Sequence, residues 1–155
     1  YETLGSVTED LFDKVMDVNL KGPFRLSALF GEKMVADGGG SIINVSSIAA
    51  VQPTPNEAIY GTAKAGINNM TVSFARAFGP TVRVNTIMPG PFLTDISKAW
   101  DLDAFAKRAE EDIPLGRGGN PDEVVGAALY FASAASSYTT GSVLKIDGGI
   151  ASATG

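Results

Sequence analysis

The sequence predicts an α/β protein with helices packed around a parallel sheet, and three observations carry that prediction. Stretches with apolar residues at helical spacing alternate with three short strand-like runs, residues 42–45, 82–88 and 143–146, of which the first is apolar. The first run shows no polar alternation, as a strand covered on both faces should. Glycine or proline clusters close each run or precede it: Gly38-Gly-Gly40, Pro89-Gly-Pro91 and Gly148-Gly149. Helix, strand, helix, strand, helix, strand describes βαβ units, whose crossovers are right-handed and whose strands run parallel.

Taken in order, residues 11 to about 36 read as one long helix, capped by Ser6 or Thr8, with Glu9 and Asp10 in its first turn. Leu11, Val15, Val18, Leu26, Leu29 and Phe30 give it an apolar side, Gly22-Pro23 weakens or bends its middle, and Gly38-Gly-Gly40 ends it. After the strand at 42–45, residues 49–56, with Pro53 and Pro55, form a loop. A second helix runs from about Glu57 to Phe78, with Ile67, Met70, Phe74 and Phe78 as its core stripe. Gly61, Ala63, Ala65 and Gly66 are small enough to let backbones approach. The strand at 82–88 is broken by Pro89-Gly-Pro91, and residues 92–112 form a polar, partly helical excursion. Asn120-Pro-Asp-Glu123 starts the last helix, with a cap residue, a proline at the first helical position and a glutamate placed for a capping box. Its expected buried stripe is Val124, Val125, Ala128, Leu129 and Ala132. The strand at 143–146 closes the chain before Gly148-Gly149. The whole of 1–155 reads as a single domain.

Composition narrows the chemistry. The 155 residues are 45% hydrophobic and 19% charged, with a net charge of -5, which argues against nucleic acid and anionic membrane as partners. The chain holds no cysteine, so it has no disulfide framework, thiolate chemistry or metal cluster. It holds no histidine either; a proton-transfer enzyme built from these residues must use Tyr, Lys or a carboxylate. No stretch reaches the length of a membrane span, and a cytoplasmic location is the expectation.

One constellation stands out. Tyr60 and Lys64 lie one helical turn apart on one face, and Ser47 precedes Tyr60 by thirteen residues at a strand end. A phenol is barely ionised at neutral pH, and a nearby ammonium favours its charged form. Alone the spacing is weak: four tyrosines and seven lysines would produce it by chance in about one such chain in five. In that bland case Tyr60 is a core tyrosine, Lys64 a solvated surface lysine and Ser47 a loop cap. Its neighbours decide the matter. Ser47 and Pro89-Gly90 both fall at carboxyl ends of adjacent strands, where open α/β sheets place their ligands.

Those neighbours resemble the short-chain dehydrogenase/reductase family. Asp17-Val-Asn19-Leu-Lys-Gly22 is similar to the family's helix segment with an active-site Asn, and Gly40-Ser-Ile-Ile-Asn-Val-Ser-Ser47 to its fifth strand, ending in the catalytic Ser. Tyr60-x-x-x-Lys64 sits at the family's distance from that Ser. Val82-Arg-Val-Asn-Thr-Ile-Met-Pro89-Gly90 resembles the sixth strand and its cofactor-contacting turn, with Thr94 in the Pro-Gly-x-x-x-Thr position. Pro114-Leu-Gly-Arg-Gly-Gly-Asn-Pro-Asp-Glu123 and Thr140-Gly-Ser-Val-Leu-Lys-Ile-Asp-Gly-Gly149 resemble the approach to the last helix and the last strand. Two departures are minor: Ala50 stands where the family often has Gly, and Phe78-Gly-Pro-Thr81 is a short loop for its place.

The resemblance implies a Rossmann-like, doubly wound parallel sheet, of which this chain holds the last three strands and flanking helices. It implies an NAD- or NADP-dependent oxidoreductase similar to 3-oxoacyl reductases, interconverting a small-molecule alcohol and a ketone or aldehyde. Tyr60 would be the general acid/base, Lys64 its electrostatic partner and a holder of the cofactor ribose, and Ser47 a donor to the substrate oxygen. Asn19 would position a water linking Lys64 to solvent. Pro89, Gly90, Phe92 and Thr94 would contact the cofactor, and Trp100 and Phe105 would face the substrate or simply pack. No metal is implied, and a homodimer or homotetramer through the long helices and last strand is. The family's glycine-rich turn after the first strand, its ribose-reading residue and an Asn-Ala-Gly strand end have no counterpart here. The chain, which opens on Tyr1, therefore reads as the C-terminal portion of a longer enzyme. The alternative is a truncated, catalytically incompetent piece acting at most as an interaction module, with residues 42–45 as an exposed apolar edge.

Overall fold

The structure, a computed structural model, describes residues 1–99 and 101–152. Helix α1 (Glu9–Met16) opens under Thr8, whose hydroxyl accepts the Leu11 N–H at 3.2 Å. The chain passes through a π-helical turn, Asp17–Lys21, and continues as α2 (Gly22–Ala36). The irregularity expected at Gly22-Pro23 is thus a widened turn immediately before the proline. Pro23 brings no N–H to the i→i−4 ladder, and the Gly22 N–H reaches back five residues to the Asp17 carbonyl. Gly38 and Gly39, at φ of 101° and 137°, end α2 in a conformation side chains resist, and the Gly39 N–H returns to the Met34 carbonyl at 2.8 Å.

Strand β1 (Gly40–Val45) follows, then two short 3-10 turns, Ile48–Ala50 and Pro55–Glu57, and the long α3 (Ala58–Phe78). The Tyr1 hydroxyl accepts the Ala58 N–H at 3.1 Å and donates to the Pro55 carbonyl at 2.7 Å, pinning the first residue to the start of α3. After a cis Gly79–Pro80 peptide comes β2 (Val82–Pro89). A 3-10 turn at Asp95–Ala99 leads to α4 (Leu102–Asp112), capped by Asp101 on the Ala104 N–H at 3.0 Å. The expected capping box forms between Asn120 and Glu123, starting a 3-10 turn that runs into α5 (Val125–Ala132), and β3 (Val143–Ile146) completes the sheet.

The sheet is parallel throughout, in the order β1-β2-β3. Gly40 pairs with Val82 and Val45 with Ile87; Thr86 pairs with Val143 and Pro89 with Ile146. The carboxyl ends stay bonded past the strands: Ser46 N–H to the Ile87 carbonyl and Gly90 N–H to the Ile146 carbonyl, both at 2.9 Å. Helices α2 and α3 cover one face, where Ile42, Val82, Val84 and Ala75 are buried against Met34, Phe74 and Phe78. On the other face the Phe131 carbonyl of α5 accepts Ser41 Oγ at 2.8 Å and Arg83 Nη2 at 2.9 Å. A buried polar chain crosses the first interface: Ser27 Oγ to Asn44 Oδ1, Asn44 Nδ2 to Thr71 Oγ1, and Thr71 Oγ1 against Thr86 Oγ1 at 2.6 Å.

Two expected apolar stripes turn out otherwise. In the first helical segment Val15 is half-buried, but Leu11, Val18, Leu26, Leu29 and Phe30 are exposed, and the residues α2 buries are Ser27 and Gly31. A methyl group on Gly31 would collide with the Phe78 ring, so close approach of α2 and α3 selects small residues there. In α5, Val125, Leu129 and Ala132 are exposed while Val124 and Ala128 are half-buried; Phe131 is the residue that closes over the sheet. The α3 stripe stands as expected, with Ile67 and Met70 buried and Phe74 and Phe78 half-buried. Among the described residues β1 pairs only with β2, so Val45 is exposed on an outer edge beside a groove lined by Leu26, Phe30 and Met34. No helix among the described residues is long and apolar enough to cross a membrane.

Candidate active site

The site is built where the carboxyl end of β1 meets the first turns of α3. Ser47 leaves the strand and caps the Ile48–Ala50 turn, its hydroxyl accepting the Ala49 N–H at 3.2 Å. That turn abuts α3 closely: a Cβ on Gly61 would lie 2.7 Å from the Ala49 carbonyl oxygen. Tyr60 precedes Gly61 and is half-buried. Lys64 follows one turn later, with its Nζ 5.4 Å from the centre of the Tyr60 ring. Ser46, buried at 2% exposure, donates its hydroxyl to the Lys64 carbonyl at 2.9 Å, which ties the helix to the strand at the lysine itself. Ser47, Tyr60 and Lys64 are thereby gathered around one strand end.

The Lys64 ammonium donates to the Val45 carbonyl at 3.1 Å. Half-burial strips water from it and holds its pKa below the ordinary lysine value. Asn19 sits half-buried on the π-helical turn, where its amide nitrogen donates to the Val15 carbonyl at 2.9 Å. Its neighbour Leu20 packs on α3 so tightly that a Cβ on Gly66 would come within 2.9 Å of it. The turn that carries Asn19 is therefore docked on the helix that carries Tyr60 and Lys64.

The second wall comes from β2. Pro89 ends the strand, and Gly90 has no room for a side chain, since its Cβ would lie 2.8 Å from the Asp147 Cα. Phe92 forms a single bridge with Gly119: Leu93 N–H reaches the Gly119 carbonyl at 2.8 Å and Gly119 N–H the Pro91 carbonyl at 2.9 Å. The loop holding Gly119 is fixed by a two-pronged ion pair, Arg117 to Glu123 at 2.8 and 2.7 Å. Glu123 also accepts the Asn120 N–H, and these bonds, the Arg117 one foremost, lower its carboxyl to about 2. Thr94 is exposed, and its carbonyl accepts both the N–H and the hydroxyl of Ser97. Beyond it, Phe105, Ala109 and Ile113 line a cleft with Pro91 and Ile150. Gln52 donates to the Ile150 carbonyl at 3.1 Å, which draws the loop after Ser47 toward this cleft. Trp100 lies outside the described residues.

Three residues here escaped sequence reading. Ser46 was hidden beside Ser47 in a serine pair, although only its side of the strand faces α3. Asp147 caps the turn after β3 by accepting from Gly149 and Ala151 N–H groups at 2.9 and 3.1 Å. Gln52 had no local signal at all.

A family model described as enoyl-(acyl carrier protein) reductase matches residues 2–151. The chain belongs to the short-chain dehydrogenase/reductase family. Among curated relatives, the 3-oxoacyl-[acyl-carrier-protein] reductase FabG of Thermotoga maritima is 39% identical over 143 residues, 92% of this chain and 58% of that protein. The NAD-dependent glycerol dehydrogenase of Listeria innocua is 39% identical over 153 residues, 96% of this chain and 59% of that one. The crystal structure of a gluconate 5-dehydrogenase from Burkholderia cenocepacia J2315, in complex with NADP and tartrate, superposes with a TM-score of 0.92 at 33% identity, covering 98% of this chain and 60% of that one. The chain thus spans about three fifths of the length of the relatives it matches, and its three strands and helices have the Rossmann fold of those structures.

Proposed function

We propose that this chain carries the reaction centre of an NAD- or NADP-dependent oxidoreductase that interconverts an alcohol and a ketone or aldehyde. The observation that carries the reading is the Lys64 ammonium, 5.4 Å from the Tyr60 ring, on a helix bonded to the strand end that bears Ser47. The nicotinamide, when bound, supplies or accepts the hydride. Tyr60 donates its phenolic proton to the carbonyl oxygen in reduction and takes the hydroxyl proton in oxidation. The Lys64 charge acts on that phenol and, by the family resemblance, holds the ribose. Ser47 donates to the same substrate oxygen, opposing the charge that develops there. By the family resemblance alone, Asn19, whose amide nitrogen donates to the Val15 carbonyl, positions a water on the path from Lys64 to solvent.

The residues fit the nicotinamide side of such a cofactor. Gly90 lets the β2 end pack closely on Asp147, Gly148 and Gly149 turn the chain at the β3 end with φ of 65° and 93°, and the Lys64 amine sits at the β1 end on the Val45 carbonyl. Pro89, Gly90, Phe92 and Thr94 would contact the nicotinamide. Among the described residues no glycine-rich turn leads from a strand into an α-helix to receive the pyrophosphate: Gly38–Gly40 ends a helix, and Gly148-Gly149 leads into a short 3-10 turn. The substrate side is the cleft at Phe105, Ala109 and Ile113, which suits a small molecule.

The outer edge of β1, unpaired among the described residues, favours a second reading, in which the chain is a non-catalytic, interaction-only piece. The exposed Val125, Leu129 and Leu144 suit a homodimer or homotetramer under either reading. Titration with NADH and NADPH separates the two. A saturable fluorescence change supports the enzyme, and none at millimolar cofactor supports the interaction module.

A further inference from the structure

We propose that the Val45–Ser46 peptide is a positioning clamp for Lys64, with Ser46 Oγ holding the lysine's backbone and the Val45 carbonyl holding its ammonium. The inference rests on the oxidoreductase reading for its effect on turnover, but its geometry stands apart from it. A trans peptide points its N–H and its carbonyl in opposite directions. The Ser46 N–H points at β2 and bonds the Ile87 carbonyl at 2.9 Å. The Val45 carbonyl of the same peptide therefore points away from β2, and Lys64 Nζ donates to it at 3.1 Å. One residue on, the Ser46 hydroxyl closes the ring by donating to the Lys64 carbonyl at 2.9 Å. At 2% exposure that hydroxyl has no water to fall back on, so the bond is made inside the protein or lost.

The sheet thus fixes a peptide plane, and the plane fixes both ends of one residue. A lysine side chain has four rotatable bonds and in water samples many of its conformers. Anchored at its backbone and at Nζ, Lys64 is confined to the end of β1, within reach of Tyr60. Among the described residues, no carboxylate lines the groove beside the amine. The groove beside it presents Pro23, Leu26, Ser27 and Phe30 of α2 and Asn44 of β1, and Tyr60 is the titratable group on its own helix face. Ser46 is then a positioning residue, acting through Lys64 rather than on substrate.

The test compares Ser46→Ala, which removes the donor, with Ser46→Thr, which keeps it. Ser41→Ala serves as a control that deletes a similar strand-to-helix bond, to Phe131, at the far end of β1. The first readout needs no cofactor: the titration of the Lys64 ammonium by nitrogen-detected NMR. Ser46→Ala should move that titration up toward the ordinary lysine value as the freed amine regains water, while Ser46→Thr and Ser41→Ala leave it in place. In the active enzyme Ser46→Ala should lower kcat by on the order of tenfold with KM for substrate unchanged, and Ser46→Thr should restore it. If Ser46→Ala does not fold, Ser46→Cys, close in shape but a weak donor, is read in its place. An unmoved Lys64 titration, or equal effects of Ser46→Ala and Ser41→Ala, overturns the clamp. Full turnover in Tyr60→Phe would overturn the oxidoreductase reading instead, leaving the NMR result to judge the clamp alone.

Discussion

Gly61→Ala probes the contact on which the site's geometry depends. The added methyl would sit 2.7 Å from the Ala49 carbonyl oxygen, whereas ordinary contact begins near 3.4 Å. The obstacle is backbone and cannot swing aside, so α3 and the Ile48–Ala50 turn must separate by about 0.7 Å. Overpacking of this kind costs about 1–3 kcal/mol, and exchanging glycine for alanine inside a helix returns about 1 kcal/mol. The net expectation is a loss of about 0–2 kcal/mol, or up to roughly 4–8 °C in Tm for a chain of this size. Gly126→Ala, in α5, is the matched control, because nothing lies within 4 Å of its Cβ and only the helix gain remains. The separation also falls between Tyr60 and Ser47, where a misplacement near 1 Å costs on the order of a hundredfold in rate. Denaturant melts of both variants, with turnover measured beside them, make the comparison. If Gly61→Ala proves as stable as Gly126→Ala and turns over normally, the close approach that defines the site is not there.

Three further outcomes follow from the same geometry. Thr71→Val should cost about 1–3 kcal/mol by urea melt, since it strands the buried Asn44 amide and Thr86 hydroxyl that Thr71 now joins. Glu123→Gln should lower the Tm at neutral pH. Because the native carboxyl is held at about 2 against an ordinary 4.5, the gap between variant and native should close as pH falls from about 4.5 through about 2. Lys64→Met removes a cation whose pKa burial depresses. The unfolded state then holds more protons than the folded one between the lowered value and 10.5, so native stability should rise relative to the variant across that alkaline window and level off above it. A Lys64→Met difference that stays flat from pH 8 to 11 would contradict the burial.

The strands and α3 were legible in the sequence because local signals and tertiary needs agree there. Ile42, Val82 and Val84 are apolar because helices cover the sheet, and the Ile67, Met70, Phe74, Phe78 stripe of α3 is buried or half-buried. Helix α2 misled the reading for a physical reason. Leu26, Leu29 and Phe30 face an outer side, while the contact with α3 is so close that it selects Gly31, and Ser27 is buried on Asn44 of β1; neither carries a hydrophobic signal. Helix α5 repeats the lesson, with Leu129 outside and Phe131 inside. At the site, the Tyr60–Lys64 spacing was visible in the sequence, and the structure adds that the Lys64 Nζ lies 5.4 Å from the Tyr60 ring. Ser46 and Gln52 were not legible. A buried hydroxyl reaching a helix carbonyl and an amide reaching 98 residues along the chain exist only once the elements have packed.

The central claim is that the Tyr60 hydroxyl moves the proton, and Tyr60→Phe tests it most directly because it deletes one oxygen and little else. The account predicts that NADH or NADPH still binds the variant with nearly unchanged affinity while oxidation and reduction both cease. Turnover at the native rate, with cofactor bound, would contradict it.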